Sequence, residues 1–153
     1  MQRPKRLFLP RLASLTIYTD GAIRPERAAS GLAAVFRGEH GQIIDWLASR
    51  AGPLTCNEAE YAAAIMALEA ARAFRPGRVL LFSDSQVMVT QINGMASVRA
   101  PALKPLHARL RSLVAGFPAI TFQHIHREQN RLADALANEI VENEGIDHAS
   151  LCR

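Results

Sequence analysis

Cysteine is nearly absent. The two thiols, Cys56 and Cys152, lie far apart, one of them beside the C-terminus, so the sequence supports neither a disulfide framework nor a zinc cluster. Long apolar runs are missing as well. No stretch approaches the ~18 to 20 consecutive apolar residues of a membrane helix, and the opening MQRPKRLFLPRL lacks the apolar run and small-residue cleavage site of a secretory signal. A cytoplasmic protein without membrane contact is therefore expected. Internal repeats and low-complexity linkers are also lacking, and the 153 residues read as one ordinary domain. What is present is apolar material, 49% of the chain and enough for a core, together with a net charge of +4 that favours an anionic partner without identifying it.

The cations are unevenly placed. Residues 1–13 carry Arg3, Lys5, Arg6 and Arg11 around two prolines and read as a flexible basic arm, with residues 14–145 as the folded domain and 146–153 as a tail. Leu15, Ile17 and Thr19 alternate with Thr16, Tyr18 and Asp20, the period of a strand. AIRPERAAS breaks that pattern, after which GLAAVFR and IIDWLAS flank the glycine-containing GEHGQ and predict an antiparallel pair. In GPLTCNEAEYAAAIMALEAARAF, Thr55 and Glu58 have the spacing of a capping box, which predicts an alanine-rich helix from near Cys56 to Pro76 and Gly77. RVLLFSD is nearly continuous apolar sequence, as in a strand covered on both faces. A short helix in SQVMVTQIN, another in PALKPLHARLRSLVAGF, a fifth strand in AITFQHI and a final helix in NRLADALANEIVENEG complete an α/β pattern of a mixed sheet with helices packed on it.

Four carboxylates stand at strand ends or in first helical turns. Asp20 before Gly21 reads locally as a turn, Asp84 as a turn or helix cap, and Asp134, a turn into the last helix after the cap candidate Asn130, as a partner of the helix dipole. Helical geometry separates Glu58 from Glu60. Glu60 shares a face with Ala63, Ala64, Ala67 and Ala71, a stripe that lets a helix lie close to a sheet, whereas Glu58 shares one with Ala62, Ile65, Glu69 and Arg72. Glu60 is thus the acid expected to point at the sheet, where a buried carboxylate needs a cation or hydrogen bonds. Asp20, Glu60, Asp84 and Asp134 converging on one edge of a sheet would repel one another unless hard divalent cations neutralised them, and two such ions suit phosphodiester cleavage.

The ordered motifs YTDGA, TCNEAEY, FSDSQ and REQNRLADALAN, spread over roughly residues 16–143, resemble type 1 ribonuclease H. The resemblance implies a ribonuclease H-like fold, a five-stranded mixed sheet with helices on both faces. It also implies Asp20, Glu60, Asp84 and Asp134 as catalytic metal ligands. Two Mg²⁺ ions, with Mn²⁺ as a substitute, would serve endonucleolytic cleavage of the RNA strand of an RNA/DNA hybrid, leaving 3′-hydroxyl and 5′-phosphate ends. Gly21 would leave room for the substrate backbone, Asn57 and Gln86 would contact the minor groove or sugars, and Thr55 a phosphate, each against the alternative of local capping. No protein partner is expected. A non-catalytic binding module of the same fold, and a nuclease for double-stranded RNA or single-strand ends, are the competing readings.

Departures from the family pattern are local. Arg24 to Arg27 (RPER) replace a glycine-asparagine-proline-glycine turn, Cys56 stands where many relatives have asparagine, and the segment before the fifth strand resembles the subgroup that lacks a long basic protrusion. Arg99, Lys104, Arg109 and Arg111 are the cations of that segment. The loop before Asp134 is short and offers His124, His126 and Arg127. Strand alternation aligns His124 with Ile120 and Phe122 and predicts a structural role. His126 stays open as an imidazole for proton transfer or product release near neutral pH and Arg127 as a fixed cation holding Asp134 or a phosphate, with Arg127 the favoured of the two.

Overall fold

The first strand, β1 (Ser14–Arg24), does not stop at Asp20 and Gly21. In the computed structural model, which describes residues 11–143, it continues by pairing Asp20 through Arg24 with Ala33 through Ala29 of β2 (Ala29–Arg37). The expected break at AIRPERAAS shrinks to a 3-10 turn at Pro25–Arg27, closed by Ala28 at φ 48°. Asp20 thereby becomes a mid-strand residue. The arm cations Arg3, Lys5 and Arg6 and the tail at 146–153 lie outside the described residues.

The remaining elements follow the predicted order. β3 (Ile43–Ala51) pairs antiparallel with β2 and completes a meander. Helix α1 (Cys56–Ala71) then crosses to β4 (Arg78–Ser83), which runs parallel to β1. α2 (Gln86–Ile92) and α3 (Leu103–Val114) lead to β5 (Ile120–His124), parallel to β4, and α4 (Arg131–Glu142) closes the fold. The sheet order is β3-β2-β1-β4-β5, with β1 at its centre.

Strand alternation divides the core between the two faces of the sheet. Leu15, Ile17, Phe36 and Leu81 pack with Tyr61 and Leu68 of α1 and Leu110 of α3 on one face. Ala22 and Ala33 pack with Ala137 and Val141 of α4 on the other. Two glycines set how closely the helices approach. A Cβ on Gly21 would lie 2.7 Å from the Ala59 carbonyl carbon of α1, and one on Gly31 would lie 1.9 Å from the Ala137 carbonyl oxygen of α4. Both helices therefore press against the sheet within a residue or two of Asp20 or its strand partner.

Two local expectations are corrected. α1 ends at Ala71, ahead of Pro76 and Gly77, because a 3-10 turn at Arg72–Phe74 follows and Arg75 at φ 46° reverses the chain. The Arg75 N–H closes that turn on the Arg72 carbonyl at 3.1 Å. His124 is exposed although it alternates in phase with the buried Phe122, because it is the last residue of β5, the edge strand of the sheet.

Candidate active site

Asp20 enters the site from the middle of β1, Glu60 from the start of α1, Asp84 from the residue after β4, and Asp134 from the first turn of α4. One carboxylate oxygen from each of Asp20, Glu60 and Asp84 lies within 4.8 Å of the others. Asp134 joins this group electrostatically, its charge acting on both Asp20 and Asp84. A cleft of about 320 Å³ opens over the four acids and is also lined by Gly21, Arg24, Arg127 and Asn138.

The helical-face assignment of the two glutamates holds. Glu58 is spent on the cap: its Oε1 accepts the Thr55 N–H at 3.0 Å, while Thr55 Oγ1 accepts the Glu58 N–H at 3.2 Å. Glu60 turns inward beside the fully buried Ala63, Ala64, Ala67 and Ala71. Its Oε1 accepts the Gly21 N–H at 3.3 Å, and its Oε2 is buried with no hydrogen-bond partner. Gly21 itself has its side-chain space filled by Ala59, so the glycine first serves the approach of α1, and what it offers the cleft is backbone.

Asp84 is freed from the cap its position suggests, while Asp134 keeps its place in the first turn of α4. Ser85, not Asp84, caps α2 by accepting the Met88 N–H at 3.2 Å. Asn130 occupies the cap position of α4, yet its side-chain amide donates to the Thr19 carbonyl at 2.8 Å and ties the helix start to β1. Asp134 is held by Asn138, whose Nδ2 donates to its Oδ1 at 3.1 Å, and by Arg127 at 3.4 Å. Arg24, from the segment that departs from the family turn, donates to Asn138 Oδ1 at 2.6 Å and so braces that amide.

Arg24, Asn130 and Asn138 were not singled out as site residues from sequence. Asn138 stands one helical turn beyond Asp134, a spacing that could have revealed it. Nothing local signals that Arg24 reaches it across 114 positions. Thr55, Asn57, Gln86 and His126 lie outside the lining of the cleft. Thr55 is engaged in the cap, Gln86 is exposed at the start of α2, Asn57 is half-buried in the first turn of α1, and the exposed His126 precedes the 3-10 turn Arg127–Gln129. Of the cations before β5, Arg109 is engaged by Glu69 at 3.1 Å, whereas Lys104 and Arg111 line an open cavity between α2 and α3.

Burial and mutual repulsion push the site carboxyls upward. Loss of hydration, followed by the charges of Glu60, Asp84 and Asp134, raises Asp20 to about 10. Loss of hydration and the Asp84 charge raise Glu60 to about 8, against the opposing hydrogen bond from Gly21. Asp84 is raised by the same causes, burial first and then Asp134, while Arg127 and Asn130 pull it down. A carboxyl raised on folding contributes stability that is complete below its unfolded value near 4 and is lost as pH rises through its folded value. In EDTA the melting temperature is therefore expected to fall as pH rises from about 5 through 8, and added divalent cation should restore it most at the alkaline end. A midpoint that stays flat across this range would contradict the mutual repulsion of the acids.

The residues present fit divalent cations. Clustered hard oxygen ligands, an unpartnered buried Glu60 oxygen and charges that burial alone disfavours describe a centre stabilised by such ions.

Residues 18–140 match the reverse transcriptase-like family. Ribonuclease HI of Halobacterium salinarum is 36% identical over 126 residues, covering 82% of this chain and 63% of that protein. The bifunctional protein Rv2228c of Mycobacterium tuberculosis is 28% identical over 129 residues, 35% of its length, so the chain spans less than two thirds of these curated relatives. The crystal structure of the halobacterial RNase H1 superposes with a TM-score of 0.79 over 82% of this chain and 96% of that one. LC11-RNase H1 from compost, in complex with RNA/DNA hybrid, is 33% identical, with a TM-score of 0.79 over 84% and 96% of the two chains. With the fold, the order of the motifs and the carboxylate centre in agreement, this chain belongs to the type 1 ribonuclease H family.

Proposed function

We propose that the protein is a cytoplasmic, Mg²⁺-dependent endonuclease that hydrolyses the RNA strand of RNA/DNA hybrids. The observation that carries this reading is the convergence of Asp20, Glu60 and Asp84 within 4.8 Å, with a buried Glu60 oxygen lacking any partner and Asp134 alongside. The hybrid-bound relative LC11-RNase H1 supports the substrate class.

Asp20, Glu60, Asp84 and Asp134 would hold two divalent cations, Mn²⁺ serving as a substitute for Mg²⁺. When bound, these supply Lewis acidity to activate water and to neutralise the departing 3′ oxygen, which gives 3′-hydroxyl and 5′-phosphate ends. Gly21 fixes one Glu60 oxygen through its N–H, and Asn138 and Arg127 orient Asp134. The Asn57 and Gln86 amides suit the 2′-hydroxyls that distinguish RNA in a wide minor groove, and the Thr55 hydroxyl a phosphate. Arg127 rather than His126 would assist Asp134, a reading supported by its position in the lining of the cleft and its bond to that carboxylate. Arg127→Ala is expected to lower kcat roughly tenfold, with His126→Ala within about twofold of wild type. Steady-state kinetics on a labelled hybrid check the order, and a larger effect at His126 would reverse the assignment.

The function is tested by digesting an end-labelled RNA/DNA hybrid with Mg²⁺ and with EDTA, beside RNA/RNA, DNA/DNA and single-stranded RNA of the same sequence. Internal cuts confined to the hybrid's RNA strand and lost with EDTA are expected. Binding without cleavage in both Mg²⁺ and Mn²⁺ would identify a binding module instead, and cuts in another substrate would reassign specificity.

A further inference from the structure

At the end of the sheet away from the carboxylates lies a second concavity of about 300 Å³, walled by Arg11, Arg72, Arg75, Pro76, Phe117 and Pro118. Two separate elements set its distance from the catalytic cleft. From Glu60 to Arg72, just past the end of α1, the chain rises roughly 18 Å at helical rise, and from Pro76 through β4 to Asp84 it spans about 26 Å at strand rise. The cavity is thus a different place from the cleft.

Its chemistry is one-sided. Three arginines line it and no acidic residue does. The ion pairs of the described residues engage Arg24, Arg109 and Arg127, not these three. Backbone bonds hold the arginines together: the Leu12 N–H donates to the Phe74 carbonyl at 3.3 Å and the Gly77 N–H to the Leu12 carbonyl at 2.8 Å, which seats Arg11 beside Arg75. Arg75 stands at φ 46°, a conformation glycine would adopt without strain, so what the position supplies is its side chain. The sequence immediately before Arg11 adds Arg3, Lys5 and Arg6 and no acid. Three arginines around an aromatic-walled cavity suit a polymer of anions better than a single carboxylate, because each cation can meet its own phosphate.

We propose that this cavity is an anchor for single-stranded nucleic acid, in which Arg11, Arg72 and Arg75 meet backbone phosphates and the Phe117 ring stacks on a base. Arginine and an aromatic ring together form a stacking platform that tolerates any sequence. The strand held here would be the unpaired flank of a hybrid engaged at the cleft, a role that rests on the proposed hybrid cleavage, whereas binding itself does not.

The test uses the full chain in EDTA and a fluorescent single-stranded oligonucleotide, read by anisotropy at several salt concentrations. Arg72→Ala combined with Arg75→Gly is expected to weaken binding roughly tenfold and to lower the salt slope by about 1.4, the share of two single-strand phosphates. Cleavage of a blunt hybrid in Mg²⁺ should keep its kcat, while a hybrid with a single-stranded flank loses its advantage in KM. Ultraviolet crosslinking of a 4-thiouridine oligonucleotide to the wild-type chain, with the adduct on the peptide containing Phe117, tests the site without any substitution. Unchanged affinity with no adduct at Phe117, or capture of an acidic peptide by these arginines with nucleic-acid binding unaffected, overturns the anchor. Failure of wild-type cleavage on blunt hybrids would instead remove the proposed function and leave the single-strand measurement standing.

Discussion

Asp20→Asn is expected to lower Mg²⁺-dependent cleavage of a hybrid's RNA strand by about a thousandfold or more while leaving the fold intact. Asp20 is buried at the centre of the sheet and faces all three other acids, so neutralising it removes the ligand with the most shared charge. The same substitution carries a second, opposite signature. In EDTA at pH 8 the variant should melt higher than wild type, because the wild-type carboxyl must take up a proton on folding at that pH whereas the amide is neutral in both states. Each kcal/mol so recovered corresponds to about 2–4 °C in a domain of this size. Calorimetry with and without Mg²⁺, beside cleavage assays, separates a lost ligand from a damaged fold: an inactive variant that melts lower in EDTA would be damaged, and an active one would remove Asp20 from the site. Glu60→Gln should follow the same pattern with a large loss of activity, and Glu58→Gln should cost only its share of the cap, about 1 kcal/mol or less of stability with near-normal kcat. The reverse order would overturn the assignment of the two helix faces.

Gly31→Val is expected to be the most destabilising single change in the sheet, about 3 kcal/mol or more. A Cβ there would meet the Ala137 carbonyl oxygen at 1.9 Å, and a backbone oxygen cannot rotate away as a side chain could. α4 must shift, and with it go the Asn130 tether to Thr19 and the placement of Asp134. Activity should therefore fall along with stability, although Gly31 touches no catalytic group. Gly52→Ala is the control, since nothing lies within 4 Å of its Cβ position, and should stay within about 0.5 kcal/mol of wild type. Urea unfolding of both variants gives the comparison; equal stabilities would mean that the close approach of α4 to β2 is wrong.

Much of the fold, and the choice of Glu60 over Glu58, could be read from local pattern, whereas Asp20, Asp84 and Asp134 read locally as turn, cap and helix-dipole residues and joined Glu60 as a ligand set only through the family resemblance. The alanine stripe that selects Glu60 over Glu58 is a consequence of 3.6 residues per turn, and the Thr55 and Glu58 cap is a bond between residues three apart, so both are written in neighbouring positions. The alternation of β1 and the apolar run of β4 likewise predicted strands, and the sheet contains both, side by side. What local pattern misplaced were positions where a distant element decides the outcome. β1 runs on through Gly21 because β2 offers partners as far as Ala29, and His124 escapes burial as the last residue of β5, in phase with the buried Phe122 but at the strand's end.

By itself, then, the sequence determined which side chains each helix and strand would present, because those periods depend only on backbone geometry. The tertiary structure decided what those side chains would meet. Arg24 reaches Asn138, Asn130 turns from its helix to Thr19, and Glu60 Oε2 is left without a partner only after α1 and α4 settle against Gly21 and Gly31. Those contacts join residues from about forty to more than a hundred positions apart, and the close packing that makes them has no periodic trace along the chain.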